Sequence, residues 1–166
     1  MKLGTEEWND RIVIEAQSLI KNQPTFQPLG NSITHWRGEI LGTGLYNGVF
    51  QVDIRIPRSY PFKAPIVRFL TPIWHVNIYK RKVCVGILGK DWNPSYSIVQ
   101  IIDTIKFLLA SPNPNDPLNL EAATQWNLDR EGFLTRVRSY INEFAFWNQH
   151  YPEKIEEISS GDSEEE

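Results

Sequence analysis

Apolar residues follow two distinct rhythms along this chain and then lose any rhythm over one long stretch. Between positions 5 and 20, Trp8, Ile12, Val13, Ala16, Leu19 and Ile20 recur at the three-and-four spacing of a helix face. Glu6 and Glu7 stand in the first turn, where the helix dipole favours acids, and Pro24 closes the element. From 32 to 41, Trp36 and Ile40 fall on one side and Arg37 and Glu39 on the other. Phe50, Val52, Ile54 and Ile56 alternate more strictly with Gln51, Asp53 and Arg55. A period of two predicts half-buried strands, and Gly42, Gly44, Asn47 and Gly48 between them predict an antiparallel hairpin loop. A third strand is expected over 66–70. Pro57, Pro61, Pro65 and Pro72 have no N–H to give a ladder, which confines pairing to short segments of a small meander.

Residues 71–96 keep no period, and long irregular segments inside a compact domain are usually functional. Ser97 with Gln100 then reads as a capping box opening a helix whose buried stripe is Ile98, Ile101, Ile102, Ile105, Leu108 and Leu109. The prolines of SPNPNDPL end it. Asn119 caps a short helix through 126, and Asp129 a longer one carrying Phe133, Val137, Tyr140, Ile141 and Phe144. This order of elements predicts an α+β domain with helices segregated from an antiparallel sheet.

A length of 166 residues leaves room for one domain, expected over 1–150, and a tail over 151–166. From Glu153 onward seven acids face Lys154 alone, a net charge of −6 that leaves about +3 for the rest of the chain. So mild an excess argues against a nucleic-acid partner. No apolar run nears the ~20 residues of a membrane helix. With one cysteine and no charged-then-apolar leader at the start, a reducing cytoplasm, or a nucleus, is the expected compartment. Neither metal-ligand spacing nor a phosphate-cradling glycine pattern occurs, so no metal or cofactor is expected.

The single thiol, Cys84, reads either as a small buried apolar residue or as a reactive group. Lys80, Arg81 and Lys82 just upstream either favour a thiolate or form a solvated turn. A hydrolytic thiol needs a base, and spacing leaves His35, His75 and His150 all open.

YPFKAP, WHVN, the cysteine in VCVGIL, DWNPSYSI and PNPNDPL occur in this order, and together they resemble the catalytic domain of ubiquitin-conjugating enzymes over residues 11 to 147. The resemblance implies the UBC-like fold: an N-terminal helix, a four-stranded antiparallel meander whose fourth strand the pattern does not display, and C-terminal helices. It implies that Cys84 takes ubiquitin or a ubiquitin-like protein from an activating enzyme as a thioester. The cysteine then passes it to a lysine of a protein substrate, usually with a ligase, plausibly of the RING type. Neither step needs metal or nucleotide in this chain.

By the match, Asn77 either donates to the oxyanion or braces its loop, and Asp116 orients or deprotonates the incoming lysine unless it merely forms a turn with Pro117. His75 supports the site structurally, and Trp74 replaces the aromatic residue that usually precedes it. Arg11 on the first helix, Phe62, Trp92, Asn93 and Pro94 match positions that bind ligases or the activating enzyme. Three departures stand out. His-Val-Asn replaces His-Pro-Asn, which is expected to loosen the turn that aims Asn77. Gly86 stands where many relatives carry an acid, and Asp10 and Ile14 lie near positions that are often basic. An inactive relative that binds ubiquitin non-covalently is the alternative reading, and the acidic tail is either a ligase contact or a solubilising extension.

Overall fold

Helix α1, Thr5–Asn22, starts where the Gly4 amide donates to the Glu7 carboxylate and stops at Gln23, whose N–H closes on the Leu19 carbonyl. Its buried seam is narrower than the apolar pattern suggests: Ile12, Ala16 and Leu19 go in with Glu15, while Val13 and Ile20 stay exposed. The computed structural model describes residues 1–146. The outer limit of the expected domain, the acidic tail and His150 lie outside these residues.

Strands β1 (Gln27–Pro28), β2 (His35–Leu41), β3 (Val49–Arg55) and β4 (Ile66–Phe69) pair antiparallel in sequence order. They form the four-stranded meander. The strand invisible to pattern analysis is β1, since two residues ending in proline carry no period. A two-residue hairpin, β5 (Ile78–Tyr79) and β6 (Lys82–Val83), extends the sheet beyond β4 through the pair Arg68 and Lys82. Its turn residues Lys80 and Arg81 both have positive φ, 47° and 66°. That conformation suits a tight two-residue hairpin loop, and few non-glycine residues adopt it. The basic run is therefore a hairpin turn, Lys80 and Arg81, followed by the first residue of β6, Lys82.

One face of the sheet presents Trp36, Ile40, Phe50, Val52, Ile54 and Phe69 to the core, where they meet the buried stripe of α2, Ile98–Ala110. Ser97 and Gln100 form the expected capping box on α2. Helices α3 (Leu120–Leu128) and α4 (Arg130–Tyr140) are capped by the Asn119 and Asp129 side chains, and a π turn over Ile141–Ala145 ends the described chain. The polar face of the sheet differs from expectation at Asp53, which is buried because His35, Arg37 and Arg55 converge on its carboxylate at 2.6, 2.8 and 3.5 Å. Burial works to raise its pKa, but the hydrogen bonds from Arg37 and His35 outweigh it and hold the carboxyl below its usual range.

Among the described residues no helix is long and apolar enough to cross a membrane.

Candidate active site

Cys84 follows β6 and precedes a short 3-10 turn, Gly86–Leu88. Its amide donates to the Asn77 carbonyl at 2.8 Å, which carries the β5–β6 ladder one step further and fixes the cysteine backbone beside Asn77. The sulfur is half-buried rather than enclosed. Burial pushes the thiol's pKa up, the nearby Asp116 carboxylate pushes it further, and Lys90 draws it back in part. Of the basic run, Lys80 and Arg81 form the hairpin turn and Lys82 lies in β6, and the cation that draws the thiol's pKa down is Lys90.

Asn77 is buried, and its side chain faces the 111–119 loop. Nδ2 donates to the carbonyls of Asn113 (2.8 Å) and Asp116 (3.0 Å), and Oδ1 accepts from the Asn113 amide at 2.8 Å. Both N–H bonds of the amide are thus engaged, and the acceptor too. In this arrangement the group braces the loop that carries Asp116. Asp116 is exposed, with its backbone held by Asn77 and its carboxylate close enough to Cys84 to act on the thiol.

His75 is fully buried. Its Nδ1 accepts from the Asn77 amide at 2.9 Å, so the proton is on Nε2, which donates to the Leu108 carbonyl at 3.1 Å. Burial pushes its pKa down to about 4, against a weaker opposing effect of the Leu108 bond. A neutral ring with both nitrogens occupied has no free site for a proton from Cys84. His35, the other described histidine, is committed to Asp53 on the sheet.

Trp74 is buried, with its indole N–H on Gln125 (2.8 Å), its carbonyl accepting from the Tyr46 hydroxyl (2.6 Å), and the Arg136 guanidinium 3.6 Å from its ring centroid. At Val76 hydrogen bonds stand where the proline ring would have been. Val76 is fully buried, and its carbonyl accepts from Leu118 N (2.8 Å) and Asn119 N (3.0 Å), which pins the turn where a proline ring would have stiffened it.

The remaining predicted positions are Arg11, midway along α1, and residues on the loops beside it. Trp92 lies between Tyr60 and Tyr96, each ring 5.9 Å away, and its indole donates to the Pro61 carbonyl at 2.8 Å. Phe62 is half-buried, whereas Asn93 and Pro94 are exposed on the neighbouring loop. Arg11 is turned inward: it donates to the Pro94 carbonyl (3.0 Å), the Tyr96 carbonyl (2.8 Å), the Tyr60 hydroxyl (3.1 Å) and Glu15 (3.0 Å). It joins the two loops to α1, so its part in any partner surface is to position the loops.

Sequence reasoning missed Glu15. This buried carboxylate accepts from Arg11, from the Tyr60 hydroxyl at 2.6 Å and from the Ile98 amide at 3.1 Å, and so also caps α2. The available signal was an Arg and a Glu four apart on the helix. Among the described residues no group of three or more His, Cys, Asp or Glu is placed to hold a metal ion.

A family model described as ubiquitin-conjugating enzyme matches residues 6–141. Among curated proteins the chain is similar to Ubiquitin-conjugating enzyme E2 13 of Saccharomyces cerevisiae, 32% identical over 142 residues, which covers 81% of this chain and 93% of the relative. Among solved structures it is similar to the E2 domain of a Toxoplasma gondii ubiquitin conjugating enzyme. There the TM-score is 0.75 at 32% identity, covering 83% of this chain and 99% of that one.

Proposed function

Because the chain belongs to the ubiquitin-conjugating enzyme family, we propose that Cys84 is the sulfur on which it carries its modifier. A transferase of this family works between an activating enzyme and a ligase, and its cargo is ubiquitin or a related protein. The observation that carries the assignment to Cys84 is the reachable thiol set beside an exposed carboxylate, on a backbone braced by Asn77.

In the first half-reaction the Cys84 thiolate attacks the thioester that joins the modifier's terminal carboxyl to the activating enzyme, and the modifier moves to Cys84. In the second, a substrate lysine attacks as the neutral amine. That amine lies about three pH units below its ordinary pKa at neutrality, so it needs help to lose a proton. Asp116 supplies a carboxylate beside the sulfur to orient the ammonium and take up the proton. Asn77 holds the loop that aims Asp116. Both nitrogens of His75 are occupied and His35 is bonded elsewhere, so neither is set to activate water against the thioester.

The surface of Phe62, Asn93 and Pro94, anchored by Trp92 and tied to α1 by Arg11, is our candidate for the ligase, plausibly of the RING type. We place the protein in the cytoplasm or nucleus. Incubation with activating enzyme, ATP and ubiquitin, then electrophoresis without and with thiol, tests the central assignment. The expected product is an adduct that thiol removes and that Cys84→Ala lacks; an adduct that survives in Cys84→Ala would assign the chemistry elsewhere.

A further inference from the structure

A pocket of about 350 Å³ opens between the β5–β6 hairpin and the end of α4, and Cys84 is not among the residues that line it. Trp74, Ile78, Tyr79 and Tyr140 give it apolar walls. Trp74 is fixed by Gln125, by the Arg136 guanidinium and by the Tyr140 ring 5.9 Å away, so these walls stand ready-made. The charge of the pocket has one sign: Lys80 and Arg81 line it from the hairpin turn, and none of the described residues lining it is acidic. Apolar walls with a few charged groups are the make-up of a ligand site, and these call for a ligand that joins apolar side chains to negative charge.

The described chain leaves the fold beside this pocket. Tyr140, in its wall, is followed by the π turn Ile141–Ala145, and Ala145 packs on Gly48 at the entry to β3. A little further along β3, the Gln51 carbonyl accepts from the amides of Leu70 and Thr71, which also line the pocket. Beyond Phe146 the sequence sets Trp147, Tyr151, Ile155 and Ile158 among Glu153, Glu156 and Glu157. At up to about 3.5 Å per residue, this length reaches the pocket with many residues to spare.

We propose that the pocket is a docking site for the chain's own acidic C-terminal segment, with apolar side chains of residues 151–158 between its walls and Glu153, Glu156 and Glu157 against Lys80 and Arg81. The segment from Glu153 onward carries a net charge of −6, opposite to that of the pocket. A covalent link also presents it at an effective concentration that no separate copy matches. The occupied pocket ties the hairpin that leads into Cys84 to the end of α4. The inference is independent of the chemistry proposed for Cys84.

The test uses the full chain with Cys84→Ala and Ser159→Cys, which places a single nitroxide on the segment, and reads the broadening of backbone amide signals. The signals of Ile73, Trp74, Tyr79 and Lys80 should broaden, and dilution should not restore them. Reversing the charge of the segment by Glu153→Lys, Glu156→Lys and Glu157→Lys leaves the described fold untouched and should abolish the broadening, as should high salt. Lys80→Glu with Arg81→Glu should abolish it too, and the two sets of reversals combined should bring it back. Broadening that is absent, that falls on another face, or that ignores both salt and charge reversal overturns the inference. In a mixture of nitroxide-bearing chains with isotope-labelled chains that carry no nitroxide, broadening at the pocket would make a second copy the occupant and overturn docking in cis.

Discussion

Asn77→Ala separates two ways in which this asparagine could serve the reaction. The variant removes three hydrogen bonds of 2.8 to 3.0 Å, two donated by Nδ2 and one accepted by Oδ1, all to the backbone of the loop carrying Asp116. At about 1 kcal/mol net each, the expected loss of stability is about 3 kcal/mol, more if the Asn113 amide finds no water to replace its partner. Urea unfolding followed by tryptophan fluorescence measures that loss. Single-turnover discharge of the charged enzyme to free lysine measures the effect on transfer, and charging should persist because Cys84 is tied to the backbone carbonyl of residue 77, which alanine keeps. If bracing is the role, stability and discharge fall together, and hydrogen exchange of the 111–119 loop speeds up. A loss of stability below about 1 kcal/mol together with discharge slowed about a hundredfold or more would refute this reasoning, since it would mean that Nδ2 is free to serve an oxyanion.

Removing the carboxylate that raises the thiol's pKa, by Asp116→Asn, should shift the pH profile of Cys84 alkylation to lower pH while slowing discharge to lysine; an unmoved profile would place the carboxylate too far from the sulfur to act. In the unaltered protein alkylation should rise about tenfold per pH unit through neutrality, since the thiol titrates above its ordinary value. His75, with its pKa lowered from 6.5 to about 4, stabilises the fold fully above 6.5, and that contribution is lost as pH falls toward 4. The loss amounts to about 3 kcal/mol, and His75→Gln should flatten this part of the stability profile; parallel profiles for the two proteins would count against a buried neutral ring. Arg11→Met strands the buried Glu15 carboxylate and should destabilise the fold by about 3 kcal/mol. Ligase-stimulated discharge should fall more than unstimulated discharge, and equal falls would detach Arg11 from the loop surface.

Elements carried by periodicity or by caps were readable from the chain alone. Ser97 with Gln100, Asn119 and Asp129 announce three helices because an N-cap is a local bond between near neighbours. Strands β2 and β3 were equally visible, since alternation reports burial on one face. What escaped depends on partners distant in sequence. Glu15 is buried because Tyr60, Arg11 and the Ile98 amide satisfy it, and Asp53 because cations on β2 and β3 converge on it. Val13 and Ile20 looked inward by spacing, yet α1 buries only a narrow seam along α2, so they face outward. At the site, Cys84 could be singled out by its solitude and by the motifs around it. The cation that acts on it, Lys90, was not legible, because the turn after the cysteine relates the two and adjacency in sequence does not.

The valine in His-Val-Asn shows how a local rule was replaced by a tertiary one. A proline at that position stiffens the turn through its own ring, a property readable from one residue. Val76 has no such constraint, but its side chain is buried and its carbonyl accepts two amides from the start of the segment that Asn119 caps into α3. His75 before it binds the end of α2, and Asn77 after it binds the loop at 113 and 116. Three consecutive residues therefore tie one turn to α2, to the Asp116 loop and to the entry of α3, and these ties limit the motion of the carboxylate relative to the turn. The cysteine backbone is linked to this unit by the bond from Cys84 N to Asn77 O, beside the β5–β6 pairing. Under the roles proposed for Cys84 and Asp116, such a division suits a carrier: the loop that would receive the lysine is tied at several points, while the cysteine that would bear the cargo is half-buried and accessible.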